Sequence, residues 1–122
     1  MPDKFYTLPY IESSLFIIQP MEKTKADREC LRALKETVTT SLKNERVKII
    51  LFGSRARGNN HLSSDVDIGI IPAGEFDEKP ITLLREKIEN LNIPYKVDIV
   101  NLSEVSEEFR NEIMKDFIVW KD

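Results

Sequence analysis

Two aspartates and a Gly-Ser pair are the residues of this chain whose types and spacing suit metal and phosphate binding. Gly53 and Ser54 follow the apolar run at 47–51, and Asp65-Val66-Asp67 stands after ten intervening residues. Because side chains alternate across a strand, Asp65 and Asp67 would share one face, about 7 Å apart along the backbone. Two such carboxylates can converge on a metal ion. A helix would not align them, since residues i and i+2 do not share a helical face.

This order of a strand, Gly-Ser and then Asp-x-Asp on the next strand resembles the nucleotidyltransferase superfamily that includes DNA polymerase beta. In that family a third carboxylate lies on a later strand, and Asp98, within the segment 95–100, stands where it would fall. The resemblance covers about residues 24–122 and is to the minimal nucleotidyltransferases of prokaryotes. The α/β core uses nearly every residue to 122, so we expect no additional acceptor-binding domain.

The resemblance implies a metal-dependent reaction in which an acceptor hydroxyl attacks the α-phosphorus of a nucleoside triphosphate and expels pyrophosphate. Two divalent ions lower the barrier to this reaction, and Mg²⁺ prefers the oxygen ligands that carboxylates provide. By this resemblance Asp65 and Asp67 bridge two Mg²⁺ ions, with Mn²⁺ as a second candidate, and Asp98 completes the site that activates the nucleophile. Without a cation, three clustered carboxylates would repel one another and raise at least one pKa.

The Gly-Ser pair and its neighbours are the predicted nucleotide-binding residues. Gly53 lets the backbone approach a phosphate, and the Ser54 hydroxyl can donate to a β- or γ-phosphate oxygen. Arg55 and Arg57 flank them, but i and i+2 on a helical turn face different ways. One arginine is therefore expected to reach the triphosphate or acceptor and the other to pair with an acidic neighbour. Ser64 would orient the first carboxylate.

Other reactive residue types give weaker signals. His61 is the single histidine and lies in a polar loop, so we interpret it as a solvated residue. Neither a Ser-His-Asp nor a Cys-His set is available for nucleophilic catalysis. Cys30 is the single cysteine, which excludes an internal disulfide framework and a cysteine-based metal cluster. Gly69 would either leave space for substrate or serve packing or a bulge.

Apolar periodicity predicts one α/β domain with strands and helices in alternation. A helix is expected over 23–43, with Thr24 and Asp27 as a capping box and an apolar stripe at Ala26, Cys30, Leu31, Leu34, Val38 and Leu42. Strands follow at 47–52, around Asp65-Val66-Asp67 and at 95–100, with a helix marked by apolar residues from Ile81 to Leu91. A last helix would use Phe109, Ile113 and Met114 as its stripe, and 117–120 would add a strand or pack under the core. The resemblance further implies a mixed sheet with helices mainly on one face and the active site on the other.

Residues 1–22 are predicted to be an arm or one or two short strands attached to a minimal nucleotidyltransferase domain at 23–122. This segment contains several aromatic and aliphatic residues broken by Pro2, Pro9 and Pro20. It would either pack on the domain or contact a partner or a second copy of the chain. The two roles are left open.

Composition limits the classes of partner. The chain has 122 residues, a net charge of −3 and a sequence pI near 5.3, which argues against extended nucleic-acid binding. No apolar run reaches the roughly 20 residues that span a membrane, and the N-terminus does not resemble a signal peptide. We therefore expect a cytoplasmic protein. Its oligomeric state is left open, and a homo-oligomer is one candidate.

The resemblance implies a partner as well as a reaction. Minimal nucleotidyltransferases are often paired with a separate all-helical protein of the HEPN type, which in many pairs is an RNase toxin that the nucleotidyltransferase AMPylates. The first hypothesis is therefore an antitoxin that transfers AMP from ATP to a toxin tyrosine hydroxyl. A second is a nucleotidyltransferase for a small molecule, similar to the aminoglycoside-modifying enzymes. A third is a catalytically silent module that neutralises its partner by occlusion.

Overall fold

The computed structural model describes residues 24–58 and 65–122, and within them four strands alternate with four helices. The strands are β1 (Val47–Phe52), β2 (Val66–Pro72), β3 (Val97–Asn101) and β4 (Phe117–Lys121). The helices are α1 (Lys25–Ser41), α2 (Ser54–Arg57), α3 (Lys79–Glu89) and α4 (Glu107–Ile113). The predicted arm at 1–22 lies outside the described residues, as do Ser64 and His61.

The strands form one mixed sheet in the order β3-β2-β1-β4. β1 pairs antiparallel with β2 and with β4, whereas β2 and β3 run parallel. A parallel pair needs a crossover connection, and α3 provides it between β2 and β3. The mixed sheet that the resemblance implied is confirmed.

The two faces of the sheet are covered unequally. α1 and α3 pack on one face over a large apolar core of Leu31, Leu34, Val38, Leu42, Val47, Ile49, Leu51, Val66, Ile68, Ile70, Ile81, Leu84, Ile88, Ile99 and Trp120. The opposite face carries a smaller cluster of Ile50, Phe52, Leu102 and Ile113. Ile113 is the contribution of α4, so this short helix covers part of that face. The two long helices thus lie on one face, as expected.

The helix-stripe predictions were wrong at particular positions. Ala26 is exposed, and the neighbouring Asp27 is buried instead. Thr24 caps α1 by accepting the Asp27 amide at 3.0 Å, but the Asp27 carboxylate is used elsewhere. On α4 only Ile113 is buried, while Phe109 is 44% and Met114 37% exposed. A seven-residue helix over a partly covered face does not bury a full apolar stripe.

Candidate functional site

One row of side chains crosses the sheet at the level of Phe52, the last residue of β1. Asp98 of β3 pairs with Asp67 of β2, Asp67 pairs with Phe52 of β1, and Phe52 pairs with Phe117 of β4. Directly opposed residues on neighbouring strands project to the same side. The row therefore places two carboxylates beside two phenyl rings, on the face that α4 partly covers.

Asp65 completes the acidic group at the start of β2. It lies two residues before Asp67, is exposed, and directly precedes the strand. Burial raises the pKa of Asp67, and the Asp98 and Asp65 carboxylates raise it further. The Arg57 and Lys96 side chains act in the opposite direction and lower that pKa. Burial and the neighbouring carboxylates thus favour the neutral form of Asp67 relative to a carboxyl group in water.

These carboxylates suit a hard divalent cation by their chemistry, because all three supply oxygen donors. Among residues 24–58 and 65–122, however, no three Asp, Glu, His or Cys side chains stand together at ligand spacing. The repulsion from Asp98 and Asp65 that raises the Asp67 pKa also prevents the three carboxylates from approaching one another more closely. A cation would remove that repulsion, so the donor set fits a metal that draws the carboxylates together.

Gly53 brings the chain directly against Asp67. It caps α2 with a φ of +81°, a conformation that side-chain-bearing residues rarely adopt, and its backbone leaves no space for a Cβ beside the Asp67 carboxylate. The amides of Ala56 and Arg57 both donate to the Gly53 carbonyl at 3.1 Å. Ser54, the first residue of α2, therefore starts a tight turn next to the acidic group.

Arg55 points away from this surface into the protein. Its side chain is 0% exposed, and Nη1 donates to Asp27 Oδ1 at 3.2 Å and Oδ2 at 3.4 Å. Asp27 is itself only 3% exposed, so the pair is a buried salt bridge. Removing one partner of such a pair typically costs about 3–5 kcal/mol because the other charge stays buried. This burial argues against a direct contact between Arg55 and a nucleotide.

Tyr95 joins the same buried group from the segment before β3. Its ring lies under the guanidinium, with Arg55 Cζ 4.3 Å from the ring centroid, and its hydroxyl donates to Asp27 Oδ1. Burial raises the pKa of Tyr95 to about 12, and the hydrogen bond to the Asp27 carboxylate adds to the shift. Tyr95 itself is half-buried, and we call Asp27, Arg55 and Tyr95 the buried triad after the buried ion pair at its centre.

The remaining predicted residues divide between the site and the core. Arg57 is exposed and near enough to lower the Asp67 pKa, so it is the arginine that faces the acidic group. Lys96 is also exposed, and its charge lowers the Asp67 pKa as well. Gly69 serves packing, because a Cβ there would stand 2.9 Å from Leu102 Cδ1 and 3.0 Å from Ile50 Cγ1.

Sequence reasoning missed the roles of Asp27 and Tyr95. Asp27 was interpreted as a capping residue, although it precedes Leu31, Leu34 and Val38 at spacings of four, three and four. An acidic residue in line with a buried helical stripe signals a buried charge that needs a partner. That signal was available from the sequence, whereas Tyr95 had no comparable one.

The known proteins that this chain resembles are nucleotidyltransferases. The profile of the polymerase beta nucleotidyltransferase family matches residues 35–122. A probable protein adenylyltransferase of Haemophilus influenzae, MntA, is 34% identical over 68 residues, which are 56% of this chain and 60% of the relative. A candidate protein adenylyltransferase of Methanocaldococcus jannaschii is 35% identical over 97 residues, covering 80% of this chain and 88% of the relative.

One solved structure extends the comparison to the fold. It contains the tri-AMPylated HEPN toxin of Shewanella oneidensis in complex with MNT antitoxin. The match has a TM-score of 0.52 and 20% identity, and it covers 73% of this chain and 70% of the matched chain. At that identity the likeness concerns the fold alone. The Shewanella complex therefore contains a chain of similar fold.

Proposed function

The chain belongs to the polymerase beta nucleotidyltransferase family, and we propose that it transfers AMP from ATP to a hydroxyl group of a partner protein. The proposed acceptor is a separate all-helical toxin of the HEPN type, which this cytoplasmic antitoxin would inactivate. The names of the Haemophilus and Methanocaldococcus relatives support protein adenylylation, and the Shewanella complex supports the partner class.

The observation that carries the proposal is the pairing of Asp67 with Asp98 beside the turn at Gly53. The two carboxylates project from adjacent parallel strands to one side, and the Gly53 backbone lies against Asp67. A purely structural surface has no reason to pair two acidic side chains, because like charges opposite each other destabilise a sheet. A bound cation would offset that cost.

Asp65, Asp67 and Asp98 are the proposed metal ligands, with Mg²⁺ as the ion and Mn²⁺ as a substitute. Divalent ions held there would activate the attacking oxygen and stabilise the pyrophosphate leaving group. The protein contributes fixed strand positions for Asp67 and Asp98 and a start-of-strand position for Asp65. Chelation should therefore abolish transfer without unfolding the chain.

The triphosphate would lie along the turn that follows β1. Ser54 supplies a hydroxyl there, and Arg57 supplies an exposed guanidinium that can bind phosphate oxygens in a bidentate manner. Ser64 stays a predicted contributor from the sequence. The buried Arg55 is left out of direct binding because Asp27 holds its guanidinium.

A protein acceptor explains an apolar surface next to the acidic group. We define the α4–β4 apolar surface as Phe109, Met114 and Val119, all of which are exposed. Phe109 packs edge-on against Phe52, with ring centroids 6.5 Å apart, and Val119 pairs with Ile50 on the same side of the sheet. Exposed aromatic and methionine side chains are typical of protein interfaces. A small, polar acceptor such as an aminoglycoside would not need this surface.

The decisive test is transfer of label from α-phosphate-labelled ATP, in the presence of Mg²⁺, to the protein encoded by the neighbouring reading frame. We expect label on that protein, and loss of labelling with Asp65→Ala/Asp67→Ala. Asp122→Asn is the matched control, because Asp122 is an exposed aspartate paired with Lys48 at the opposite end of β1. Absent labelling, or labelling that survives the double substitution, would contradict the proposal.

A neutralisation assay separates catalysis from occlusion. Partner activity would be measured with wild-type protein and with the Asp65→Ala/Asp67→Ala/Asp98→Ala variant. The proposal expects the variant to bind the partner but not to inactivate it lastingly. Full neutralisation by the variant would instead support a silent binding module.

A further inference from the structure

The buried triad lies directly behind the proposed site, yet none of its members is required to touch substrate. Arg55 belongs to α2, Asp27 to the first turn of α1, and Tyr95 to the segment that leads into β3. A salt bridge, a hydrogen bond and a cation–π contact therefore connect three separate elements. Asp27 is the common partner, since it accepts from both Arg55 and Tyr95.

α2 depends on such an anchor because it is only four residues long. Isolated helices of this length do not persist in water, because few hydrogen bonds offset the cost of fixing the backbone. The amides of Ala56, Arg57 and Gly58 make the turn's backbone bonds, to the carbonyls of Gly53 and Ser54. The fully buried Arg55 side chain ties this turn to the body of the protein.

Tyr95 carries the connection to the metal-binding strands. It adjoins Lys96, whose carbonyl accepts the Val66 amide at 2.9 Å where β2 and β3 begin to pair. Val66 stands between Asp65 and Asp67, and Asp98 follows Tyr95 by three residues. A shift of Tyr95 would therefore be transmitted to both strands that bear carboxylates.

We infer that Asp27, Arg55 and Tyr95 are positioning residues, which hold the Gly53-Ser54 turn in place relative to Asp67 and Asp98. The inference deepens the proposed function and rests on it for its consequence in catalysis. Its structural part stands on the contacts alone. Loss of the triad should displace or loosen the phosphate-binding turn and so weaken binding of Mg·ATP, even in a protein that is still well folded.

The test removes the charges together rather than singly. Replacing both members of a buried ion pair by apolar residues of similar size is often neutral or stabilising, whereas removing one leaves a buried charge. Asp27→Leu/Arg55→Met should therefore unfold near the wild-type temperature. Amide hydrogen exchange at Ala56, Arg57 and Gly58 should nonetheless be at least about tenfold faster than in wild type, relative to the amides of β1.

Tyr95→Phe provides a milder variant in case the double variant fails to fold. It keeps the ring beneath Arg55 and removes only the hydroxyl that donates to Asp27. We expect a smaller acceleration of exchange at the same three amides and a weaker affinity for Mg·ATP. Glu112→Gln is the control, because it breaks the exposed ion pair with Lys115 and should change neither measurement.

The possible results distinguish a failure of the positioning role from a failure of the proposed function. Faster exchange in α2 together with weaker Mg·ATP binding supports the inference in full. Faster exchange in variants of a protein whose wild type binds no Mg·ATP would contradict the proposed function but uphold the positioning role. Wild-type exchange in α2, in the folded double variant or in Tyr95→Phe, would overturn the inference, because the triad would then contribute only to overall stability.

Discussion

The carboxylate of Asp67 lies against the backbone of Gly53, so closely that a Cβ on Gly53 would stand 2.4 Å from Asp67 Oδ2. Gly53→Ala should therefore displace Asp67 as well as strain the turn. The backbone conformation of Gly53, with φ +81° and ψ −157°, is essentially restricted to glycine and costs a residue with a side chain about 1–3 kcal/mol. We expect a lower unfolding temperature and a severe loss of Mg·ATP binding, measured by calorimetry.

Gly74→Ala is the matched control for this substitution. Gly74 lies in the turn after β2, and a Cβ there would meet nothing within 4 Å. It should leave nucleotide binding unchanged and alter stability by less than about 1 kcal/mol. Equal effects of the two alanines would show that the Gly53–Asp67 contact has no special role.

Arg57 should be needed for nucleotide binding but not for stability. It is exposed and its charge acts on Asp67, so Arg57→Gln removes the proposed phosphate ligand without opening a cavity. We expect affinity for Mg·ATP to fall about tenfold or more, as for the loss of a charge-assisted hydrogen bond of about 1.5–3 kcal/mol. The thermal unfolding temperature should stay constant.

Arg32→Gln controls for the loss of one positive charge, because Arg32 is exposed on α1. It should affect neither affinity nor stability. A wild-type affinity in Arg57→Gln would remove Arg57 from the proposed site and reopen the question of which group binds the triphosphate.

The Tyr95 hydroxyl should lose its proton at a higher pH than an ordinary tyrosine. Its pKa in the folded protein is raised to about 12, whereas an unfolded tyrosine titrates near 10. Because the folded pKa is the higher one, Tyr95 contributes stability that is fully present below about pH 10. That contribution is lost as the pH rises from about 10 to about 12.

Carbon NMR of the tyrosine Cζ resonances measures this directly. The sequence has three tyrosines, of which Tyr6 and Tyr10 lie outside the described residues. We expect one resonance with a midpoint near 12 that disappears in Tyr95→Phe and moves towards 10 when Asp27 is replaced by Asn. A Tyr95 midpoint near 10 in the folded wild type would contradict the part-buried hydrogen bond to Asp27.

The α4–β4 apolar surface should bind the acceptor protein. Met114→Gln with Val119→Thr reduces its apolar area at two exposed positions, so the unfolding temperature should change little. We expect weaker capture of the partner and slower AMP transfer at unchanged affinity for Mg·ATP. Leu83→Ser is the control, since Leu83 is an equally exposed apolar residue on α3, which packs on the opposite face. Partner binding that is insensitive to the first variant, or lost in the control, would place the interface elsewhere.

Much of the fold followed from local patterns, because buried strands appear as apolar runs and amphipathic helices as apolar residues spaced by three and four. β1 was predicted to the residue from its apolar run, whereas a common site for Asp67 and Asp98 was implied by the resemblance to the family. The direct pairing of these residues did not follow. Register between strands distant in sequence depends on the packing of the crossover helix, which a local pattern does not encode.

The buried triad shows more clearly what a local sequence pattern does not predict. The sequence predicted that one of Arg55 and Arg57 would pair with an acidic neighbour, but the choice depended on which way a four-residue helix turns its side chains. That direction is set by Asp27, which lies 28 residues away from Arg55 along the chain. Likewise, the exposure of Phe109 and Met114 reflects a partly covered face, which an apolar stripe alone does not distinguish from a fully covered one.

The central claim is that the Asp67–Asp98 pair, with Asp65, binds a divalent cation for nucleotide transfer. Titration of Mn²⁺ followed by electron paramagnetic resonance, with and without ATP, measures that binding directly. The account predicts Mn²⁺ binding that ATP strengthens and that falls by more than about 100-fold in Asp67→Asn/Asp98→Asn, with Asp122→Asn unchanged. Mn²⁺ binding of equal strength in the wild type and in Asp67→Asn/Asp98→Asn would contradict it.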